Sequence, residues 1–173
     1  MERVYREIAR DAARASGAAL AHLVLVAEQD GALVARGGAA DGPAMAEREP
    51  RQALRAALEA EPIPAAAHPV LAGDEERVVA PAPAGLAPLL APLLARGDGL
   101  PHSVYLSAGE AGLPALLHLA FAGPPRASAL PGLEAVGRLA AGRLAAVALR
   151  QEATRDRIVL ADLLQAKETL AGL

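Results

Sequence analysis

Apolar residues near the start of the chain recur at helical spacing among arginine and glutamate. The residues that form this stripe are Val4, Ile8, Ala12 and Ala15. The spacing predicts an amphipathic helix over residues 2–16, which ends near Gly17. The apolar stripe of this helix must pack against another element.

The pattern then changes to that of two hairpins. The branched apolar run from Leu23 to Val26 meets the polar string EQDG, and a second apolar run returns through Leu33 and Val34. Asp-Gly between two such runs is a strong hairpin signal. A second hairpin is predicted over residues 102–123, with its turn at 109–112.

Between the hairpins, the pattern predicts a helix whose main segment begins at Pro50 and ends before Pro62. Prolines recur from position 62 to position 101, and each one removes an N–H donor from a strand ladder. Only two short strands are predicted there, at 69–72 and 77–80. We expect the rest of this segment to cover the sheet as loops and short helices.

A long helix is predicted over residues 129–150, and the following residues extend it to the end of the chain. The order of elements predicts an α+β fold, a central antiparallel sheet of five to six strands. We expect helices on one face of this sheet. We expect one domain over residues 2–152 and a signalling helix over 153–173.

The end of the predicted helix carries a second apolar stripe with spacings of four and three. Its residues are Val159, Leu163, Ala166, Leu170 and Leu173. Since residues 152–157 are polar on nearly every face, they mark the point where the helix leaves the domain. The stripe favours a parallel homodimer around a two-fold axis, together with the apolar side of residues 4–15. A last helix folded back on the same monomer is the alternative.

Composition narrows the possible functions. The 173 residues contain no cysteine, which excludes disulfides, thiolate metal sites and cysteine chemistry. A net charge of −3 without a basic stripe makes nucleic acid an unexpected partner. No signal peptide and no uninterrupted apolar run of membrane-spanning length is present in the sequence. We therefore expect a cytoplasmic protein that does not enter a membrane.

The order of elements and several local strings resemble the GAF family of small-molecule sensor domains. AHLVLVAEQDGALVARGGA is similar to the first two strands of the family, HPVLAGD to its middle strand, and SVYLSAGEAGLPALLHLAFAG to its closing strands. The resemblance covers nearly all of residues 2–152. It implies a profilin-like sheet with the terminal helices on one face and a ligand pocket, covered by the middle segment, on the other.

The departures from the family pattern are informative. The chain lacks the cysteine that tethers bilin chromophores, the cysteines of the relatives that reduce free methionine sulfoxide, and the Asn-Lys-x-Asp pattern of the cyclic-nucleotide branch. The residues therefore point to no particular cofactor. The opening helix and hairpin also resemble the roadblock/longin group, which implies as an alternative a dimeric scaffold that docks a small GTPase.

Histidines and one tyrosine are the candidate ligand-binding groups. In the GAF strand order, the strands that carry His22 and His118 are neighbours, so period-2 alternation lets both imidazoles face one side. We expect them to line a ligand pocket with His102, Tyr105 and three leucines of the proline-rich segment, Leu86, Leu89 and Leu90. No histidine pair has metal-binding spacing, and no catalytic set can be assembled from the residues. A non-enzymatic sensory or regulatory domain is the expected function, with a small molecule or a partner protein as its ligand and a possible output domain as its target.

Overall fold

The protein is described from a computed structural model, which defines residues 2–29, 32–43, 63–64, 70, 77–80, 100, 102–109 and 114–171. Its sheet is antiparallel and has the strand order β3-β2-β1-β6-β5-β4. Four strands of six or more residues carry this sheet, and a short strand flanks each edge. The strands are β1 (Leu20–Gln29), β2 (Ala32–Asp41), β3 (Ile63–Pro64), β4 (Arg77–Ala80), β5 (His102–Ser107) and β6 (Ala115–Phe121).

Two long helices are described, α1 (Glu2–Ser16) and α2 (Leu130–Ala171), and a short 3-10 turn (Ala127–Ala129) leads into α2. Helix α1 buries Ile8 and a row of alanines, which lets its backbone approach the sheet closely. It ends where Gly17 adopts a φ of +69°, a conformation that glycine adopts without strain. The Ser16 hydroxyl donates to the carbonyl oxygen of Ala12 at 2.7 Å and caps this last turn.

Both helices pack on the same face of the sheet. The core there joins Ile8 of α1 and Leu133 and Leu144 of α2 to strand residues such as Leu23 and Leu117. An ion pair between Asp11 and Arg143 links the two helices at the surface. The hydrophobic core therefore forms between the sheet and the pair of terminal helices.

The two central strands are buried on both of their faces. Every residue of β6 is buried, and so are residues 20–26 of β1. This double burial explains why both strands are almost continuously apolar, rather than alternating apolar with polar residues. The histidine in each of these strands is therefore an exception that needs partners.

The structure confirms the α+β class, the antiparallel sheet and both predicted hairpins. Residues 77–80 form a strand as predicted, but the strand predicted at 69–72 is wrong at the one residue described there, because Val70 has helical backbone. A proline directly before it is typical of the first turn of a helix. The helix predicted after Pro50 and the leucine-rich segment around residues 86–90 lie outside the described residues.

The long C-terminal helix is continuous over 42 residues. At a rise of about 1.5 Å per residue it is about 60 Å long. The last turns therefore do not fold back, up to Ala171. Within the described part of the chain, neither helix has the length and apolar character needed to cross a membrane.

Candidate functional site

The face of the sheet that points away from the helices carries a polar cluster at its centre. His22 of β1 lies directly opposite His118 of β6, and His118 lies directly opposite Tyr105 of β5. Ser103 precedes Tyr105 by two residues and therefore projects from the same face. All four side chains are almost completely buried among aliphatic neighbours such as Val24 and Leu116. We call these four residues the histidine cluster.

Hydrogen bonds join the cluster into a line. Nδ1 of His22 lies 2.9 Å from Nδ1 of His118, and Nε2 of His118 lies 2.9 Å from the hydroxyl oxygen of Ser103. The ring of Tyr105 stacks on His118 with a centroid distance of 4.8 Å. Both nitrogens of the His118 ring are thus occupied, and His118 is the centre of the cluster.

Burial keeps both imidazoles neutral. Burial lowers the pKa of His22 from 6.5 to about 4. The pKa of His118 lies well below its ordinary value, chiefly because of burial and secondly because of the charge that His22 would carry. Since desolvation disfavours the charged form of a base, neither imidazole takes up an additional proton at neutral pH.

A neutral cluster of this kind has two possible arrangements of its protons. In the first, Ser103 donates to Nε2 of His118, and Nδ1–H of His118 donates to His22, which then carries its own proton on Nε2. In the second, Nδ1–H of His22 donates to His118, and Nε2–H of His118 donates to Ser103. Nε2 of His22 is therefore a donor in the first arrangement and an acceptor in the second. A ligand that pairs with this nitrogen would select one arrangement of the whole line.

Tyr105 contributes an aromatic ring and a buried hydroxyl to the cluster. Burial raises the pKa of its hydroxyl to about 12, while a hydrogen bond with Ser103 acts in the opposite direction. The hydroxyl therefore stays protonated at physiological pH. Ser103 is close to both Tyr105 and His118 and couples the ring stack to the histidine line.

The structure brings together three of the residues predicted for the pocket and separates a fourth. His22, His118 and Tyr105 lie together, but the placement of His102 in this group is wrong. His102 begins β5 and is paired with Phe121, so alternation turns it to the helix-covered face. His102 and Tyr105 are three positions apart on one strand, so their side chains project from opposite faces. This difference can be read from the sequence alone. Leu86, Leu89 and Leu90 lie outside the described residues.

Sequence reasoning missed Ser103. A serine without a catalytic motif around it carries little signal, and only its place two residues before Tyr105 on a strand would have indicated the shared face. Among the described residues, no group of three or more histidine, aspartate or glutamate side chains could hold a metal ion. The cluster is thus a hydrogen-bonding site made of two imidazoles and two hydroxyls.

The residues predicted for the dimer seam lie on the part of α2 beyond the sheet. Val159 and Leu163 are exposed there, as are Ile158, Leu160 and Leu164. Leu170 belongs to the helix by its backbone, while Leu173 lies outside the described residues. An open groove of about 730 Å³ lies between α1 and this part of α2. Its apolar lining comes from Val4 of α1 and from Val147, Ile158 and Val159 of α2.

An antiparallel sheet with both terminal helices on one face and a buried polar cluster on the other defines an α+β domain. The solved structures similar to this chain include GAF domains, and the fold is GAF-like, as the sequence predicted. A GAF domain/HD domain protein from Geobacter sulfurreducens matches with a TM-score of 0.54 and 11% identity, over 86% of this chain and 94% of that chain.

Two further structures agree with this fold. A domain of a putative two-component sensor histidine kinase from Sinorhizobium meliloti 1021 matches with a TM-score of 0.53 and 15% identity, over 90% of this chain and 96% of that chain. The blue-light absorbing form of the PixJ GAF domain from Thermosynechococcus elongatus matches with a TM-score of 0.50 and 11% identity, over 92% and 90% of the two chains. No family model and no curated protein matches the sequence.

Proposed function

We propose that the protein is a non-enzymatic sensory domain that binds a small molecule at the histidine cluster and signals through α2. The observation that carries this proposal is the hydrogen-bonded line from His22 to Ser103 in the middle of a buried aliphatic sheet face. A polar group in such a place costs free energy unless it is paired. A small apolar site with a few converging polar groups is the usual form of a ligand pocket.

The two proton arrangements of the cluster give it a means of recognition. A ligand acceptor placed at Nε2 of His22 favours the arrangement in which Ser103 donates to His118, and a ligand donor favours the reverse. The similarity of this fold to a domain of a putative two-component sensor histidine kinase supports the sensory role. The output is the exposed end of α2, which we propose pairs with a second copy of the chain to form a homodimer.

The roadblock-like scaffold is disfavoured by the same sheet face. A scaffold that docks a small GTPase through this face needs it to be apolar and open to another chain. In the structure the face is buried within one chain and carries two histidines, a serine and a tyrosine.

Ligand binding is tested by native mass spectrometry and ring NMR. Protein purified from its expression host is compared in native and denaturing spectra, and the imidazole resonances of His22 and His118 are followed during addition of a library of nucleobases, nucleosides and amino acids. We expect a bound mass in the native spectrum or a shift of both imidazoles with at least one compound. The His118→Leu variant should lose the response, and His102→Gln, on the opposite face, should keep it.

A folded protein that carries no added mass, and whose imidazole resonances respond to no compound, would contradict ligand binding at the cluster. The histidine line would then be a structural network only.

The homodimer is tested independently by light scattering at micromolar concentration. We expect twice the mass of the chain for the wild type, and a folded monomer for Leu160→Glu/Leu163→Glu.

A further inference from the structure

The exposed part of α2 offers a second seam besides the one predicted from its leucine spacing. Ile158 lines the groove beside Val4, on the side of the helix that faces α1. Leu160 and Leu164 lie on the opposite side and are 59% and 61% exposed. A seam through Val159, Leu163 and Ala166 would place Leu160 only at its edge and would leave Leu164 outside the contact. The apolar band is therefore centred on Leu160 and Leu163.

Around this centre the helix has regular heptad spacing. Positions separated alternately by three and four residues are Ala153, Asp156, Leu160, Leu163, Lys167 and Leu170. Val159 and Leu164 flank the central leucines on either side, so three large apolar side chains and a valine form one band. The band is interrupted at two seam positions by side chains of opposite charge, Asp156 and Lys167.

We propose that this band pairs with a second copy of the chain in an antiparallel arrangement, in which Asp156 of each copy faces Lys167 of the other. The proposal rests on the proposed homodimer and specifies its orientation. In a parallel pair in register, every seam residue faces its own copy. Asp156 would then face Asp156 and Lys167 would face Lys167, which is unfavourable for like charges at a contact.

An antiparallel pair removes both conflicts with one register. When Asp156 faces Lys167 of the second copy, Leu160 faces Leu163 and position 153 faces position 170. The same contacts occur twice around the two-fold axis, as an isologous interface requires. Four leucines then form the centre of the contact, with an ion pair on each side. The two domains lie at opposite ends of the paired helices.

The absence of cysteine from the sequence makes the orientation directly measurable. A disulfide needs its two Cα atoms within about 7 Å. Positions 153 and 170 of one helix are about 25 Å apart at 1.5 Å per residue, so any disulfide between them must join two chains. The variants Ala153→Cys, Leu170→Cys and the double variant are each oxidised mildly and separated without reductant.

We expect the double variant to form a covalent dimer and each single variant to remain a single chain. A 1:1 mixture of the two single variants should also cross-link after exchange of subunits. Efficient cross-linking of Ala153→Cys alone would overturn the antiparallel arrangement in favour of a parallel one. A double variant that does not cross-link, although light scattering shows a dimer, would place the dimer contact on another surface. A monomer in light scattering would instead contradict the homodimer itself.

Neutralising one charge gives a second readout, whose sign depends on the orientation. Asp156→Asn removes two attractive pairs from an antiparallel dimer, and we expect the dimer dissociation constant to rise about 3- to 10-fold. In a parallel dimer the same change would relieve repulsion and lower the dissociation constant, which would overturn the proposal. Leu149→Glu is the matched control, because Leu149 lies on the same stripe of α2 but outside the antiparallel overlap. We expect it to leave the dissociation constant unchanged, whereas a parallel seam would bury it.

Discussion

Nδ1 of His22 and Nδ1 of His118 lie 2.9 Å apart across two neighbouring central strands. At this distance one nitrogen must donate and the other must accept, so the pair holds a single proton between the two atoms. Two imidazolium ions cannot be accommodated in this geometry. The contact therefore couples the protonation of the two imidazoles. It also makes the free energy of unfolding depend on pH.

We expect the free energy of unfolding to fall as the pH is lowered from about 6.5 towards 4. In the unfolded chain both histidines take up protons near pH 6.5, while burial holds the pKa of His22 at about 4 and that of His118 well below 6.5. The unfolded state then binds more protons than the folded state, so stability is fully present above pH 6.5 and is lost below it. Each histidine contributes a slope of up to about 1.4 kcal/mol per pH unit in this range.

Urea unfolding at half-unit pH steps measures this slope. The His22→Gln variant removes one of the two titrating groups, so its slope between pH 6 and 4.5 should be roughly half that of the wild type. If the slope is the same in both proteins, the loss of stability at low pH comes from groups other than this pair.

Ser103 is expected to stabilise the fold through His118 rather than by its own packing. Ser103→Ala leaves Nε2 of His118 buried without its partner, which costs about 1–3 kcal/mol. When His118 is first changed to Leu, the same serine substitution should cost much less. A double-mutant cycle measured by urea unfolding gives the coupling energy directly. Equal costs in the two backgrounds would mean that the 2.9 Å contact contributes nothing to stability.

The positions of His22 and His118 were predictable because strand alternation and strand order act together. Each histidine sits among apolar residues on a strand, so its face follows from counting along the strand. The error at His102 came from placing it by nearness to the hairpin instead of by the same count. Ser103 was missed because its role comes from the cross-strand pairing of β5 with β6, which no local motif reports.

The length of α2 was predicted from the sequence, whereas the side of its last turns that pairs with a second copy stays a prediction. Two stripes, one through Val159 and one through Leu160, share Leu163 and Leu170, and both fit heptad spacing in the sequence. Only the packing of α2 against the sheet and α1 decides which side is left exposed. The helix-covered face itself was predictable, since the stripe of α1 and the apolar first half of α2 both need a surface to bury.

Close packing of α2 on β5 gives a prediction about glycine. A Cβ atom built on Gly137 would lie 2.9 Å from the carbonyl oxygen of Ser107 and 3.2 Å from Cβ of Leu106. Backbone oxygen cannot move aside without shifting the strand. Gly137→Ala should therefore destabilise the protein by about 1–3 kcal/mol, although alanine is the better helix former by about 1 kcal/mol.

Gly142, one and a half turns further along the same helix, is the matched control. Nothing lies within 4 Å of a Cβ atom at this position. Gly142→Ala should raise the free energy of unfolding by about 0.5–1 kcal/mol, because only the helix propensity changes. Thermal and urea unfolding of the two variants should thus move in opposite directions. A stabilising effect of Gly137→Ala would mean that α2 is less tightly packed on β5 than the structure indicates.

The edge strand β4 is expected to depend on an ion pair with α2. Nη1 of Arg77 lies 2.7 Å from Oε1 of Glu134, and about 30% and 26% of the two side chains is exposed. Among the described strands β4 pairs with β5 alone, and this ion pair also joins it to α2. Because both groups are partly shielded from water, Glu134→Gln should cost about 1 kcal/mol, more than the loss of a fully exposed pair. The comparison is Glu7→Gln, which removes the exposed pair with Arg3 at 3.3 Å and should cost no more than about 0.5 kcal/mol.

Hydrogen exchange of the β4 amides should be faster in Glu134→Gln and unchanged in Glu7→Gln. The reversed pair Arg77→Glu/Glu134→Arg should recover most of the lost protection, and a reversal that recovers none would mean that β4 is held by its ladder with β5 alone.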